Sequence, residues 1–320
     1  MAIIDRTGAD ILIPEENSRE IVQLVPQYST VMRQMRRLPD MGSRTRMIPV
    51  LSALPMSYFV DGDIGYKRTT AQAWENVKLY AEEIACIVPI PQAVLDDSDY
   101  DIWANVLPRL TEAIGATFDR AVLFGHNKPA NFPEGLVPGA IRAGNVVMHD
   151  PAGSLYQEIL GDGGVASLVE EDGFVPTGYI AHITMKGKLR GTVDGNGLPI
   201  FGRVTPQQQA MTTMPSMGEL DSCPVIFPKT EIMDADTALL LGGDWSVPVW
   251  AIRTDITTKL LTEAVIQDPN TMQIVYNLAQ QDMVALRCVF RAGWVLPNPV
   301  NRLNMDRESR YPFAVLTPPV

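Results

Sequence analysis

Between Asp101 and Gly125 the apolar residues Trp103, Leu107, Leu110, Ile114, Phe118 and Ala121 fall three and four positions apart, with Arg109, Glu112, Asp119 and Arg120 off that stripe. The spacing predicts one long amphipathic helix over 101–124. Asp96, Asp97, Asp99 and Asp101 suit its N-terminus, where unsatisfied N–H groups favour negative charge. Pro108 predicts a kink or a late start, because it has no N–H to give the preceding turn. Gly125 offers the left-handed residue that ends a helix. After a polar loop, Phe132-Pro133-Glu134-Gly135-Leu136 resumes the chain as a tight turn.

Upstream the period changes to two. Two extended arms, about 44–60 and 71–90, flank a tip of turn formers from Asp61 and Gly62 to Gly65. Val77, Leu79 and Ala81 share one face; after Glu82-Glu83 the parity flips, and Ile84, Cys86, Val88 and Ile90 carry it. A flip of parity predicts a bulge or a change of partner near Glu82. Each arm would reach roughly 50 Å at ~3.3 Å per residue. A two-stranded ribbon of that length is marginal in water unless another surface covers it. Residues 1–43 read as an arm, with a short helical piece at Ser18–Val25 and prolines at 14, 26 and 39 that forbid a long helix. Such a segment is either unstructured or lies on something else.

Beyond 150 the elements are short and mixed. A helical piece covers Leu155–Leu160, "TGYIAHITMKGKLRG" reads as a strand running into a short helix, and Asp194–Gly197 is a turn. "CPVIFPKT", "TALLLGGDWSVPVWAIRTDI" and "MVALRCVFRAGWVL" are strands, the last alternating at Val284, Leu286, Cys288 and Phe290. The pattern is α+β with a large inserted second domain.

With 320 residues, 46% of them hydrophobic, the chain has ample material for a packed core. Its net charge of −11 argues against a nucleic-acid reader, which needs cations to neutralise phosphates. The densest basic region, Arg33, Arg36, Arg37, Arg44 and Arg46, also carries Asp40. There is no basic segment followed by an apolar run at the N-terminus and no apolar stretch of membrane-spanning length, so a cytoplasmic protein is expected. Cys86, Cys223 and Cys288 lie far apart in the sequence without C-x-x-C spacing, and are expected as buried free thiols rather than zinc or redox groups.

Candidate chemistry is thin. Asp97, Asp99 and Asp101 alternate like the start of a calcium loop, but Ile102 occupies the glycine position and no acid closes the loop. "GDGGVAS" (161–167) follows a helix and lacks the Lys-Ser/Thr ending of a phosphate loop. No G-x-S-x-G elbow is present, and His126, His149 and His182 are scattered, each expected in a loop or at the surface. No catalytic residue, metal or cofactor is expected, and no enzyme.

Several segments, in order, resemble the tailed-phage major capsid proteins of the Hong Kong 97-like family: "LIPEENSREIV" (12–22), "WENVKLYAEEIACIVPIPQAVLDDSDYDIW" (74–103), "FDRAVLFGHNK" with "FPEGL" (118–136), "CPVIF", "LLLGGDWS" and "ALRCVFRAGWVL". Pro91 stands where that family often has serine, and "DSCPVIF" lacks the family's glycine. The resemblance spans most of the chain. It implies an N-terminal arm (1–43), an extended loop (44–90), a peripheral domain (91–150 and 291–320) built on a spine helix at 101–124, and an axial domain (151–290). It implies that Asp119, Gly125, Pro133 and Gly135 hold the spine helix to the sheet beneath it, and that Asp61, Gly62 and Lys67 shape the loop tip. The function implied is self-assembly, as hexamers and pentamers, into an icosahedral shell around double-stranded DNA, with ribbon and arm lying across neighbouring copies. Interfaces of that interlaced kind run well above roughly 2,000 Å². Implied partners are a portal protein, a separate scaffolding protein, an optional decoration protein and DNA packed without sequence-specific contacts; the implied location is the virion, assembled in the host cytoplasm. A lysine–asparagine crosslink from Lys67 to Asn298 or Asn301 is not expected, since nothing marks the acid it would need. An encapsulin-type compartment shell is the alternative.

Overall fold

The computed structural model describes residues 29–57, 59, 69–70, 72–96, 102–192, 201, 217–228, 231–268 and 271–319. The segment Ser18–Val25, the motif at 12–22, the tip residues Asp61, Gly62 and Lys67, the acids Asp97, Asp99 and Asp101, and the turn at Asp194–Gly197 lie outside the described residues. In chain order the strands are β1 (Arg36–Arg37), β2 (Thr45–Ala53), β3 (Ala73–Tyr80), β4 (Glu82–Pro91), β5 (Val146–Met148), β6 (Gly178–Ala181), β7 (Met217–Leu220), β8 (Cys223–Ile226), β9 (Leu240–Gly243), β10 (Val249–Leu261), β11 (Val265–Gln267), β12 (Ile274–Asn277), β13 (Met283–Val295) and β14 (Phe313–Thr317). The helices are α1 (Thr30–Gln34), α2 (Gln92–Asp96), α3 (Ile102–Leu123), α4 (Leu136–Ala143), α5 (Leu155–Leu160), α6 (Val165–Glu171) and α7 (Met185–Arg190).

The long helix is α3, 22 residues, and it runs through Pro108 rather than starting after it. Its stripe of Leu110, Ile114, Phe118 and Ala121 is buried against α1, α4 and one face of a four-stranded sheet ordered β1-β10-β13-β4. Fully burying a Phe or Leu there contributes about 1.5–3 kcal/mol. On β13 the alternation works as expected: Leu286, Cys288, Phe290, Ala292 and Trp294 face α3, while Val295 faces a smaller cluster on the opposite side with Leu79, Ala81 and Val249.

The parity flip at Glu82 is a change of partner. β3 pairs with β2 through Tyr80, and β4, two residues on, pairs with β13 from Glu82 to Pro91. β4 is thus not part of the ribbon, and among the described residues the paired arms are the nine residues of β2 and the eight of β3, about 30 Å where 50 was expected. The sequence misled because β4 continues the same period of two inside another sheet.

A six-stranded sheet, ordered β5-β14-β9-β6-β8-β7, packs on both faces. Ile180, Leu241, Phe313 and Val315 join the main core with α4; Tyr179, Ala181, Leu240, Ala314 and Leu316 pack with α5, α6 and α7. The two sheets cut across the expected domain boundaries. Strand β10, placed within 151–290, and β13, which straddles the expected boundary at 290, belong to the sheet beneath α3, and β14, placed within 291–320, pairs with β9 and β5 in the other. A strand joins the sheet that buries its apolar face, and sequence distance does not reveal which one that is.

Candidate functional site

Asp119 sits on α3 with its carboxyl wholly buried. The Ser29 hydroxyl donates to one oxygen at 2.5 Å, and the Thr30 N–H donates to the other at 2.7 Å. Ser29 also caps α1, its Oγ accepting the Met32 N–H at 3.0 Å. One turn back on α3, Gly115 leaves room for this approach: a Cβ there would stand 3.2 Å from the Ser29 nitrogen. Burial pushes Asp119 up to about 7, against the donors Ser29, Thr30 and Val31, which pull it down. The implied role for Asp119, holding the helix to the sheet, is corrected: it grips the end of the N-terminal arm. Sheet backbone has spent its donors on the ladder, whereas the first turn of α1 has free N–H groups to give.

The helix exit is a closely packed corner. Gly125 takes φ 72° and closes the helix by donating its N–H to the Ala121 carbonyl at 3.1 Å. Gly135, N-cap of α4, presses on it: an added Cβ would meet the Gly125 nitrogen at 2.7 Å and the Leu123 carbonyl oxygen at 2.9 Å. Between them the half-buried Pro133 follows Phe132, whose buried ring meets Phe118 edge-on at 6.5 Å. What looked like a tight turn at 132–136 leads directly into α4.

A second polar cluster had no signal in the sequence. The buried Asp172 carboxylate accepts from Asn145 Nδ2 at 2.8 Å, Tyr311 N–H at 2.9 Å and Asn304 Nδ2 at 2.8 Å. Nearby, buried Arg310 donates to the Asn298 side chain at 3.1 Å and to the Asn304 carbonyl at 2.9 Å. Asn298 and Asn301, the two crosslink candidates, spend their amides here, on the Arg310 and Asp172 carbonyls at 2.9 and 2.6 Å.

The remaining candidates offer little chemistry. Among the described residues no three His, Cys, Asp or Glu side chains are placed to hold a metal, and no helix is long and apolar enough to cross a membrane. A groove of about 530 Å³ beside the helix exit is lined by Arg120, His126, Glu231 and Asp234, among others, and Arg120 is engaged by the Glu231 carbonyl at 2.6 Å. His149 lies in the loop after β5 but is buried there, donating from Nδ1 to Glu158 at 2.7 Å and accepting at Nε2 from Lys188 at 3.1 Å. The basic region is partly self-neutralised, with Arg37 on Asp40 at 3.0 Å and Arg44 on Glu82 at 2.9 Å. Of the cysteines, Cys288 is buried and Cys86 and Cys223 are half-buried; Cys86 and Cys288 are directly opposed on β4 and β13.

The outer surface is where the molecule departs from a self-sufficient domain. One face of the ribbon (Ile48, Val77, Leu79) packs on its own sheet. On the other, Met47 and Trp74 stand 62% and 64% exposed, and Met56 and Phe59 beyond the strands are also exposed. A second apolar patch, Val265, Ile274, Val275 and Met272, lies on the β11–β12 hairpin.

The model of the Phage capsid family matches residues 9–300. The major capsid protein of Staphylococcus phage 80alpha is 24% identical over 287 residues, covering 89% of this chain and 81% of that one. A solved chain of Microbacterium phage Oxtober96 superposes with a TM-score of 0.74 at 34% identity, covering 91% of each chain. A solved chain of Mycobacterium phage Adephagia gives 0.75 at 28% identity, covering 100% of this chain and 99% of that one.

Proposed function

The chain belongs to the Phage capsid family, with the Hong Kong 97-like α+β fold, and from that premise we propose that it is the major capsid protein of a tailed bacteriophage. It builds the icosahedral shell of the virion by association with copies of itself. The observation that carries this reading is the two-faced ribbon. A sheet of a self-sufficient domain turns its polar face to water, yet here Met47 and Trp74 are exposed on the side facing away from the chain's own core. Only another protein surface removes that area from water, and a symmetric shell supplies it from a neighbouring copy.

The finer parts of the reading follow from the same role. Copies group as hexamers and pentamers in the host cytoplasm, with a portal protein, a separate scaffolding protein and, on the outer face, an optional decoration protein. The acidic balance lets packaged DNA slide past without sequence-specific grip. The role is structural, without catalytic turnover or cofactor.

The test is electron microscopy of particles formed by the expressed chain, with and without co-expressed scaffold, and an assay of what fills particles made during infection. Closed shells, and DNA inside the infection particles, are expected. A chain that stays monomeric with scaffold present, or shells that enclose a cargo enzyme and no DNA, would overturn the reading.

A further inference from the structure

Cys86 and Cys288 are separated by most of the chain but meet as a directly opposed pair of antiparallel strands. Opposed residues share a face of the sheet, with Cα atoms about 4.5 or 5.5 Å apart. Either spacing lies inside the roughly 4.4–6.8 Å range that a disulfide spans. Both side chains point to the face beneath α3, between Ile84 and Val88 on β4 and between Leu286 and Phe290 on β13. The two thiols are close enough to influence each other: the neighbouring Cys288 draws the Cys86 thiol down, while Cys86 and burial push the Cys288 thiol up. Cys86 is the more accessible of the two and the one whose thiolate, the reactive form, is favoured.

We propose that Cys86 and Cys288 are an oxidation site that closes to a cross-strand disulfide when the particle meets a peroxide. The Cys86 thiolate attacks one peroxide oxygen, the O–O bond breaks, and the leaving hydroxide takes a proton to become water. Cys86 is now a sulfenic acid. The Cys288 sulfur attacks the Cys86 sulfur and gives up its proton, the S–O bond breaks, and that hydroxide and proton leave as a second water. Two thiols lose two electrons, and one peroxide becomes two waters.

The position gives the bond a use. β4 is the edge strand of its sheet and follows the ribbon strand β3 after the single residue Ala81. A bond from Cys86 to Cys288 ties the root of the ribbon to the neighbouring strand β13. A reducing cytoplasm keeps the pair open during assembly, and an oxidising exterior closes it in the released particle. Cys223 serves as an internal control: burial, with Asp221 and Glu219 nearby, pushes its thiol up, and it donates to the Pro176 carbonyl at 3.2 Å.

The experiment treats assembled particles with hydrogen peroxide, unfolds them in an alkylating reagent without reductant, and measures intact mass and linked peptides. Two thiols should escape alkylation, the unalkylated chain should be lighter by about two hydrogens, and one peptide should join Cys86 to Cys288 with Cys223 alkylated. Three alkylated cysteines, a Cys86 oxidised to sulfinic acid with Cys288 free, or links between different chains would overturn the proposal. In Cys288→Ser the reaction should stop at a Cys86 sulfenic acid that a cyclic diketone traps; an untouched Cys86 would overturn the order of steps. If that variant does not assemble, the wild-type peptide map still decides.

Discussion

A buried carboxyl group without a cation must either keep its proton or be surrounded by donors, and Asp119 stands between those states. Removal from water favours the neutral form, while Ser29, Thr30 and Val31 favour the anion, and the balance falls near neutrality. The sign of the consequence is fixed by linkage. When α1 undocks, Asp119 reverts toward an ordinary carboxylate near ~4. Between that value and about 7 the docked state holds a proton the undocked state has lost. Docking of the arm is thus strongest at low pH, weakens about tenfold per pH unit across this window, and levels off above it. Hydrogen exchange of the α1 amides, corrected for intrinsic rate, should show protection falling from pH 5 to 7. In Asp119→Asn, which cannot ionise, that decline should vanish. A wild-type profile flat across the window would show that the donors outweigh burial and the group stays ionised throughout.

The corner between α3 and α4 depends on two glycines with different duties, and substitutions should separate them. Gly125→Ala introduces a Cβ at positive φ whose tightest neighbour is the flexible Lys128 side chain at 3.3 Å, with the Gly135 nitrogen in ordinary contact at 3.7 Å, a cost of about 1 kcal/mol. Gly135→Ala drives a Cβ into the Gly125 and Leu123 backbone, which cannot rotate away, so α4 must shift as a unit, costing about 1–3 kcal/mol or more. Thermal unfolding should rank Gly135→Ala as the more damaging, and the reverse order would place the strain in the turn rather than in the close approach. The sequence made this helix and its exit legible because a stripe at three and four, followed by glycine, has one simple solution. It also marked the partner change at Glu82, since parity alone reports which face is buried. It concealed α4, which starts at Leu136 where the sequence reads as a tight turn, and the pairing of β5 with three residues of β14, which lie far apart along the chain. The grip of Asp119 on Ser29 was equally hidden: a lone acid off a helix stripe looks like any solvated acid until the arm is laid over it.

At the scale of the whole molecule, the ribbon is the element that one copy leaves unfinished. Its far half is held by the chain itself: the Val300 N–H donates to the Leu51 carbonyl at 3.1 Å, Arg302 to the Pro55 carbonyl at 3.1 Å, and Arg307 pairs with Glu75 at 2.5 Å. Those contacts set its direction without covering the face that carries Met47 and Trp74, which β2–β3 register places on the same side. The two kinds of contact should respond differently to mutation. Glu75→Gln breaks an exposed ion pair worth under about 1 kcal/mol and should leave both folding and assembly intact. Met47→Asp with Trp74→Asp adds two charges to a face that is already in water in the free subunit, so the fold should survive with unchanged circular dichroism. Burying those charges against a neighbour without partners costs far more than the apolar contacts it replaces. Sedimentation and electron microscopy should then find soluble, folded subunits and no closed shells. Normal shells from the double variant would mean that this face stays wet in the particle, and that neighbouring copies hold together elsewhere, with the apolar β11–β12 hairpin as the surface to charge next.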